Sequence, residues 1–209
     1  DGPIWKIPPV EVVPKPYTKP HPAVSVAASS VQSHANAGVR GIGSITFDNY
    51  FGFDYLQGCL DAYRTAFDTT DHAAVLAPND YRGLYVATAY CAEDRDEARR
   101  VARDIAMGYF KFILNLYIPL SKNPGYTYLD TLEKLIEHQE DLDWLCEYTP
   151  SVMIGTPDDF IERIKRVEAM GIDEVLLRID GVGHDNIKKS LELIGHEVIP
   201  AVDPTFAKN

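Results

Sequence analysis

The chain has 209 residues, 45% hydrophobic and 24% charged, with a formal charge of −11; this is the balance of a soluble globular protein long enough to bury a sizeable core. The acidic excess argues against a nucleic-acid partner, which selects basic surfaces, and no apolar run is long enough to span a membrane. Cys59, Cys91 and Cys146 are scattered and odd in number, which predicts reduced, structural thiols in a cytoplasmic protein rather than a disulfide framework.

Residues 1–22 carry prolines at 3, 8, 9, 14, 16, 20 and 22. Such a segment cannot sustain a helix and is expected to run extended over a surface. A first buried strand is predicted over Ala23–Ala28, then a short helix from near Ser30 that ends before Gly41, its last turn loosened by Gly38 and Gly41. A second strand follows at Ile42–Phe47, an amphipathic helix at Tyr55–Phe67 and a third strand at Leu84–Cys91. Arg95 to about Tyr117 reads as a long helix, Asn123-Pro124-Gly125 as a turn and Thr127–Glu147 as another helix. The acidic run Glu137–Asp143 reads as a solvated helix face.

The last quarter has the best-marked boundaries. Thr156 is a good N-cap, Pro157 suits the first helical position, and Asp158 and Asp159 set negative charge at the positive end of the helix dipole. Phe160, Ile161, Ile164 and Val167 share one face, and Gly171 stands where a left-handed C-terminal residue is wanted. Val175–Ile179 is apolar except at Arg178, the pattern of a parallel strand covered on both faces. Four strands alternating with helices predict an α/β fold, either a small open sheet or half of an eight-stranded barrel.

Three motifs, in order, decide between these. Pro14 to Pro22 with Val24-Ser25-Val26-Ala27-Ala28-Ser29-Ser30 and Ala37-Gly38-Val39-Arg40-Gly41 forms the first. Tyr90-Cys91-Ala92-Glu93-Asp94-Arg95-Asp96-Glu97-Ala98-Arg99 is the second. The Gly155-Thr156-Pro157 unit, with its ending Ser190-Leu191-Glu192-Leu193 and Glu197-Val198-Ile199-Pro200, is the third. Together they resemble the bacterial-luciferase-like, flavin-dependent monooxygenases. The resemblance implies the C-terminal half, strands five to eight, of a TIM (β/α)8 barrel. Residues 1–209 would then be one partial domain, with a proline-rich lead-in (1–22) and a lid or insertion region (118–150) whose Ser121–Thr127 stretch would be mobile.

The same resemblance implies the chemistry. FMN, reduced by a separate flavin reductase, would use O2 to oxidise an apolar aldehyde, ketone or terpenoid-like molecule. The catalytic residues would lie in the N-terminal half of the barrel, expected as a separate polypeptide, and whole barrels would pair as homodimers. A deazaflavin-dependent dehydrogenase on the same barrel, and a flavin-binding homologue without catalysis, are the alternatives.

Within the chain, Ala27, Ala28, Ser29, Ser30 and Ser33 form the candidate cofactor site. A strand end running into a helix start presents free N–H groups and a dipole to an anion. The serines add hydroxyls, and the two alanines leave room. The residues alone favour a plain serine N-cap; the resemblance implies contact with the flavin phosphate instead. Phe47 and Tyr90 end strands and line a substrate pocket or fill the core. Asp48 is a turn cap or an acid–base group. Arg178 either enters the barrel mouth or pairs with Glu174 or Asp180. The six histidines show no metal-site spacing, and no metal is expected.

Overall fold

The computed structural model describes residues 2–47, 49–126, 129, 132–203 and 205–206. Residues 2–24 form neither helix nor strand and, apart from half-buried His21, are exposed, in keeping with their prolines. Strand β1 (Ser25–Ala28) leads into helix α1 (Val31–Val39), β2 (Gly43–Thr46) into α2 (Phe53–Thr69), and β3 (Arg82–Val86) into β4 (Thr88–Cys91). Helices α3 (Arg95–Leu120), α4 (Leu132–Glu137) and α5 (Leu142–Tyr148) precede β5 (Val152–Gly155), α6 (Pro157–Met170) and β6 (Glu174–Leu177). Helix α7 (His184–Leu193) passes through a π-helical turn at Ile194–Val198 into α8 (Ile199–Val202).

Among the described residues every strand pairing is parallel. One sheet has the order β1-β2-β3-β6, and β4 pairs with β5 in a second. The predicted third strand is therefore two. It breaks at Ala87, and its two halves recruit different neighbours: β3 pairs with β6, β4 with β5. The sequence reading missed β5. Val152–Gly155 is too short for a periodic signal, but every residue of it is buried.

Register rows show which face is covered. Leu84 and Val86 are fully buried against Phe53, Leu56, Leu60 and Phe160 from α2 and α6. Burying a Leu or Val side chain stabilises by about 1.5–3 kcal/mol. On the alternate row, Ala27, Ile45, Gly83 and Glu174 lie in register, and Ala27 and Glu174 are exposed. Both edge strands thus depart from the expectation of full burial. Val24 and Val26 beside and within β1 are 43% and 36% exposed, and no residue of β6 is buried. Each edge strand has a sheet neighbour on one side only, so half its backbone groups face outward.

A second core forms where α3 carries Phe110, Ile113 and Leu114 against Leu135, Leu145, Val152 and Ile154. Leu129, Leu132, Leu135, Leu142, Leu145 and Cys146 pack into this core, and the described part of the predicted helix 127–147 is two short helices, α4 and α5, rather than one. Residues 138–140 turn, and Asp141 caps α5 by accepting from Trp144 N at 3.0 Å. The acidic run therefore spans the end of α4, a turn, and the cap and first turn of α5 rather than one helix face. Thr127, the predicted helix start, lies outside the described residues. Gly38 does not loosen α1. A Cβ there would stand 2.5 Å from the Tyr63 carbonyl oxygen, so the glycine is what lets α1 and α2 meet.

Candidate functional site

The β1–α1 turn is built as a closed hydrogen-bond ring. Ser30 is the N-cap of α1, with extended backbone. Its Oγ accepts from Ser33 N at 3.2 Å, and Ser33 Oγ accepts from Ser30 N at 3.0 Å. This is a capping box with serine at both positions. The two hydroxyl protons are also used: Ser30 Oγ donates to Ser33 Oγ at 3.1 Å, and Ser33 Oγ to the Ser30 carbonyl at 2.8 Å. The donors left for an outside anion are the Ser29 hydroxyl, which has no partner among the described residues, and the Val31 and Gln32 N–H groups of the first turn. That first turn carries no acidic residue, so the positive end of the helix dipole is not neutralised from within.

The turn is braced from behind by groups the sequence did not announce. Tyr55 of α2 donates its hydroxyl to the Ser29 carbonyl at 3.2 Å. Phe47 N donates to the Ala28 carbonyl at 3.0 Å. His34, fully buried, places Nδ1 2.9 Å from the Ser30 carbonyl and Nε2 3.0 Å from Thr46 Oγ1. A carbonyl only accepts, so Nδ1 carries the proton and Nε2 accepts from the threonine hydroxyl. Burial lowers the His34 pKa, and its bond to Ser30 opposes this only in part. The i,i+4 spacing of Ser30 and His34 is the signal that could have revealed the brace.

Ala27 is exposed and Ala28 buried beside this turn. Phe47 stacks on Tyr85 with ring centroids 4.8 Å apart, and both rings are half exposed. Tyr85, one register row from the turn, was not singled out from the sequence. Tyr90 sits elsewhere. It is 2% exposed, in the α3 core with Phe110 and Ile154, and borders a separate cleft of about 350 Å3 with Glu97, His196 and Glu197. Burial first, then the nearby Glu97 charge, raises its phenol pKa. Phe47 and the serine turn are thus brought together; Tyr90 is not brought to them. Asp48 lies outside the described residues.

Arg178 pairs with Asp180, Nε donating to Oδ2 at 2.8 Å, and lies over the Tyr109 ring at 4.9 Å. All three cysteines are buried and free. Among the described residues no helix is long and apolar enough to cross a membrane, and no group of three His, Cys, Asp or Glu side chains converges as a metal site would.

Similarity to known proteins follows this geometry. No curated protein matches the chain significantly. The fold is similar to that of monooxygenase RslO1 from Streptomyces bottropensis, with 21% identity and TM-score 0.61 over 96% of this chain and 54% of that one. It is similar to the oxygenating constituent of 3,6-diketocamphane monooxygenase from Pseudomonas putida, a type II Baeyer–Villiger monooxygenase in complex with FMN, with 20% identity and TM-score 0.54 over 87% and 49%. The coenzyme F420-dependent tetrahydromethanopterin reductase from Methanopyrus kandleri resembles it equally, with 17% identity and TM-score 0.54 over 86% and 50%. The chain spans about half the length of these structures. The sequence model of the luciferase-like monooxygenase family matches residues 1–174, and the chain belongs to that family.

Proposed function

We propose that this chain supplies strands five to eight of a TIM barrel that works as an FMN-dependent monooxygenase. The observation that carries the reading is the β1–α1 turn: a braced helix N-terminus with no acid in its first turn, at the C-terminal end of a parallel strand. Such ends are where barrels place their sites. The flavin phosphate would accept from the Ser29 hydroxyl and the Val31 and Gln32 N–H groups, while exposed Ala27 lets the ring system approach. Ser30 and Ser33 hold the turn; they do not have hydroxyl protons to spare. When bound, reduced flavin supplies the oxygen-activating chemistry. The Phe47–Tyr85 stack offers an apolar wall that would orient an apolar small molecule and exclude water. Tyr90 keeps its substrate-pocket reading only through the separate cleft it borders.

The open edges of β1 and β6 would pair with strands one to four, with the catalytic residues among them. Reduced flavin would come from a separate reductase, and complete barrels would pair as homodimers in the cytoplasm. A deazaflavin-dependent dehydrogenase is the second reading, since the F420-dependent reductase matches as well as the FMN-bound monooxygenase. Titration with FMN and with F420, on the barrel completed by its N-terminal half, separates the two. FMN binding that Gln32→Glu weakens about tenfold is expected, because a carboxylate beside a phosphate costs on the order of 1.4 kcal/mol. Binding of F420 alone overturns the monooxygenase reading, and unchanged FMN affinity in Gln32→Glu overturns the phosphate site.

A further inference from the structure

A cleft between α3 and α6 gathers charge that the flavin reading leaves unused. It measures about 290 Å3 and lies over Met153 and Ile154 of β5. Arg95 and Arg99 enter it from one turn of α3, Arg163 and Arg166 from one turn of α6. Glu147, Asp159 and Glu162 share the lining.

Two of the four guanidiniums have protein acceptors. Arg95 grips Asp159 through Nη2 and through Nε at 3.1 Å. Arg163 donates Nη1 to the Thr149 carbonyl at 3.1 Å and Nη2 to the Cys146 carbonyl. The other two are left over. Arg166 sits 3.5 Å above the Phe53 ring, a contact that uses its flat face and not its N–H edge. Arg99 Nε lies 3.3 Å from Asp143 Oδ1 without hydrogen-bond alignment, and its buried Nη1 meets no acceptor among the described residues. Asp143 is itself 82% exposed, so water screens it.

The cations are also crowded. Burial, then the like charges of Arg166 and Arg99, push the Arg163 guanidinium down to about 10. Burial lowers Arg99 as well. Glu162 and Asp159 oppose the shift at Arg163, and Asp143, Asp159 and Glu147 oppose it at Arg99, without reversing either.

We propose that this cleft is an oxyanion site, in which the phosphate or carboxylate of a small molecule accepts hydrogen bonds from the part of the Arg99 guanidinium that borders the cleft and from the N–H edge of Arg166. A guanidinium edge matches either group in bidentate fashion. The volume suits a small ligand and is too small for a flavin. Arg95 and Arg163, already bonded to the protein, set the position of the walls.

Calorimetric titration of the barrel completed by its N-terminal half with inorganic phosphate, and separately with acetate at matched ionic strength, tests the site. Saturable binding of at least one of the two is expected, weakened at least about tenfold in Arg99→Gln and in Arg166→Gln. Arg166 is exposed, so its variant folds even where Arg99→Gln does not. Gln32→Glu separates this site from the flavin turn and must leave the binding intact. Phosphate binding alone assigns a phosphorylated ligand, and acetate binding alone a carboxylate. Absence of binding overturns the proposal, as does binding equal in wild type and Arg166→Gln. Binding lost in Gln32→Glu and kept in both arginine variants places the anion on α1 and also overturns it.

Discussion

Helices α1 and α6 begin with the same device and put it to opposite use. Both follow a parallel strand, and both open with a capping box, Ser30 with Ser33 and Thr156 with Asp159. In both, the residue after the box is fully buried: His34 in one, Phe160 in the other. Helix α6 neutralises its own N-terminus. Asp158 and Asp159 sit in its first turn, and Asp159 is gripped by Arg95. Helix α1 has no first-turn acid and a buried histidine where α6 has a phenyl ring. The lesson is that a cap hydrogen bond does not mark a site. What marks one is a dipole left unanswered and a polar brace that holds it open.

The largest effect that would sharpen this contrast is Phe160→Ala. It empties a fully buried ring site and should cost about 3–5 kcal/mol in denaturant unfolding. His34→Leu should cost less, about 1–3 kcal/mol, by leaving the Ser30 carbonyl and Thr46 hydroxyl with fewer partners. Equal losses at the two positions would show that His34 is mere core filling. His34 also carries a pH signature. Its folded pKa is depressed below 6.5, so its stabilisation is present above that value and is lost as pH falls through the lower folded value. Urea midpoints of wild type and His34→Leu between pH 7 and 5 should converge.

Asp159→Ala comes next, at about 1–2 kcal/mol for a lost cap. Burial opposes ionisation of Asp159, but the bonds from Arg95 and Thr156 outweigh it and hold its pKa below the usual 3.8. Its contribution is therefore complete above that value and lost as pH falls through the folded one. Acid titration of the variant should show a shallower loss than wild type. The smallest effect is Gln32→Glu, which puts into α1 the charge that α6 already has. It should raise stability by about 0.3–1 kcal/mol while weakening FMN binding. Opposite signs from one substitution would be the clearest evidence that the open dipole is kept for a ligand.

Much of this was legible in the residues. Thr156, Pro157 and Gly171 mark α6 because capping, first-turn proline and a left-handed C-terminus are local; Gly171 has φ 100°. The serine turn was legible for the same reason, as was the choice left open at Arg178, which pairs with its sequence neighbour Asp180. Misjudged were the features set by distant partners. The apolar run Leu84–Cys91 gives no hint that it breaks at Ala87, because the break follows from β6 and β5 claiming different halves. Val152–Gly155 was invisible as a strand for want of length. Nor do residue types show that the Ser30 and Ser33 hydroxyls bond each other.

The sequence by itself determined the α/β alternation, the helix caps, the parallel strands and the family, since each rests on residues a few positions apart. Only the tertiary structure decided that β1 and β6 stand as open edges, that Tyr55 and His34 brace the serine turn, and that Arg99 and Arg166 line one cleft without hydrogen-bond partners of their own among the described residues. Those outcomes depend on which backbone and side-chain groups find partners from elements tens of residues away. Hydrogen-bond saturation and charge balance are properties of the packed chain, not of any stretch of it.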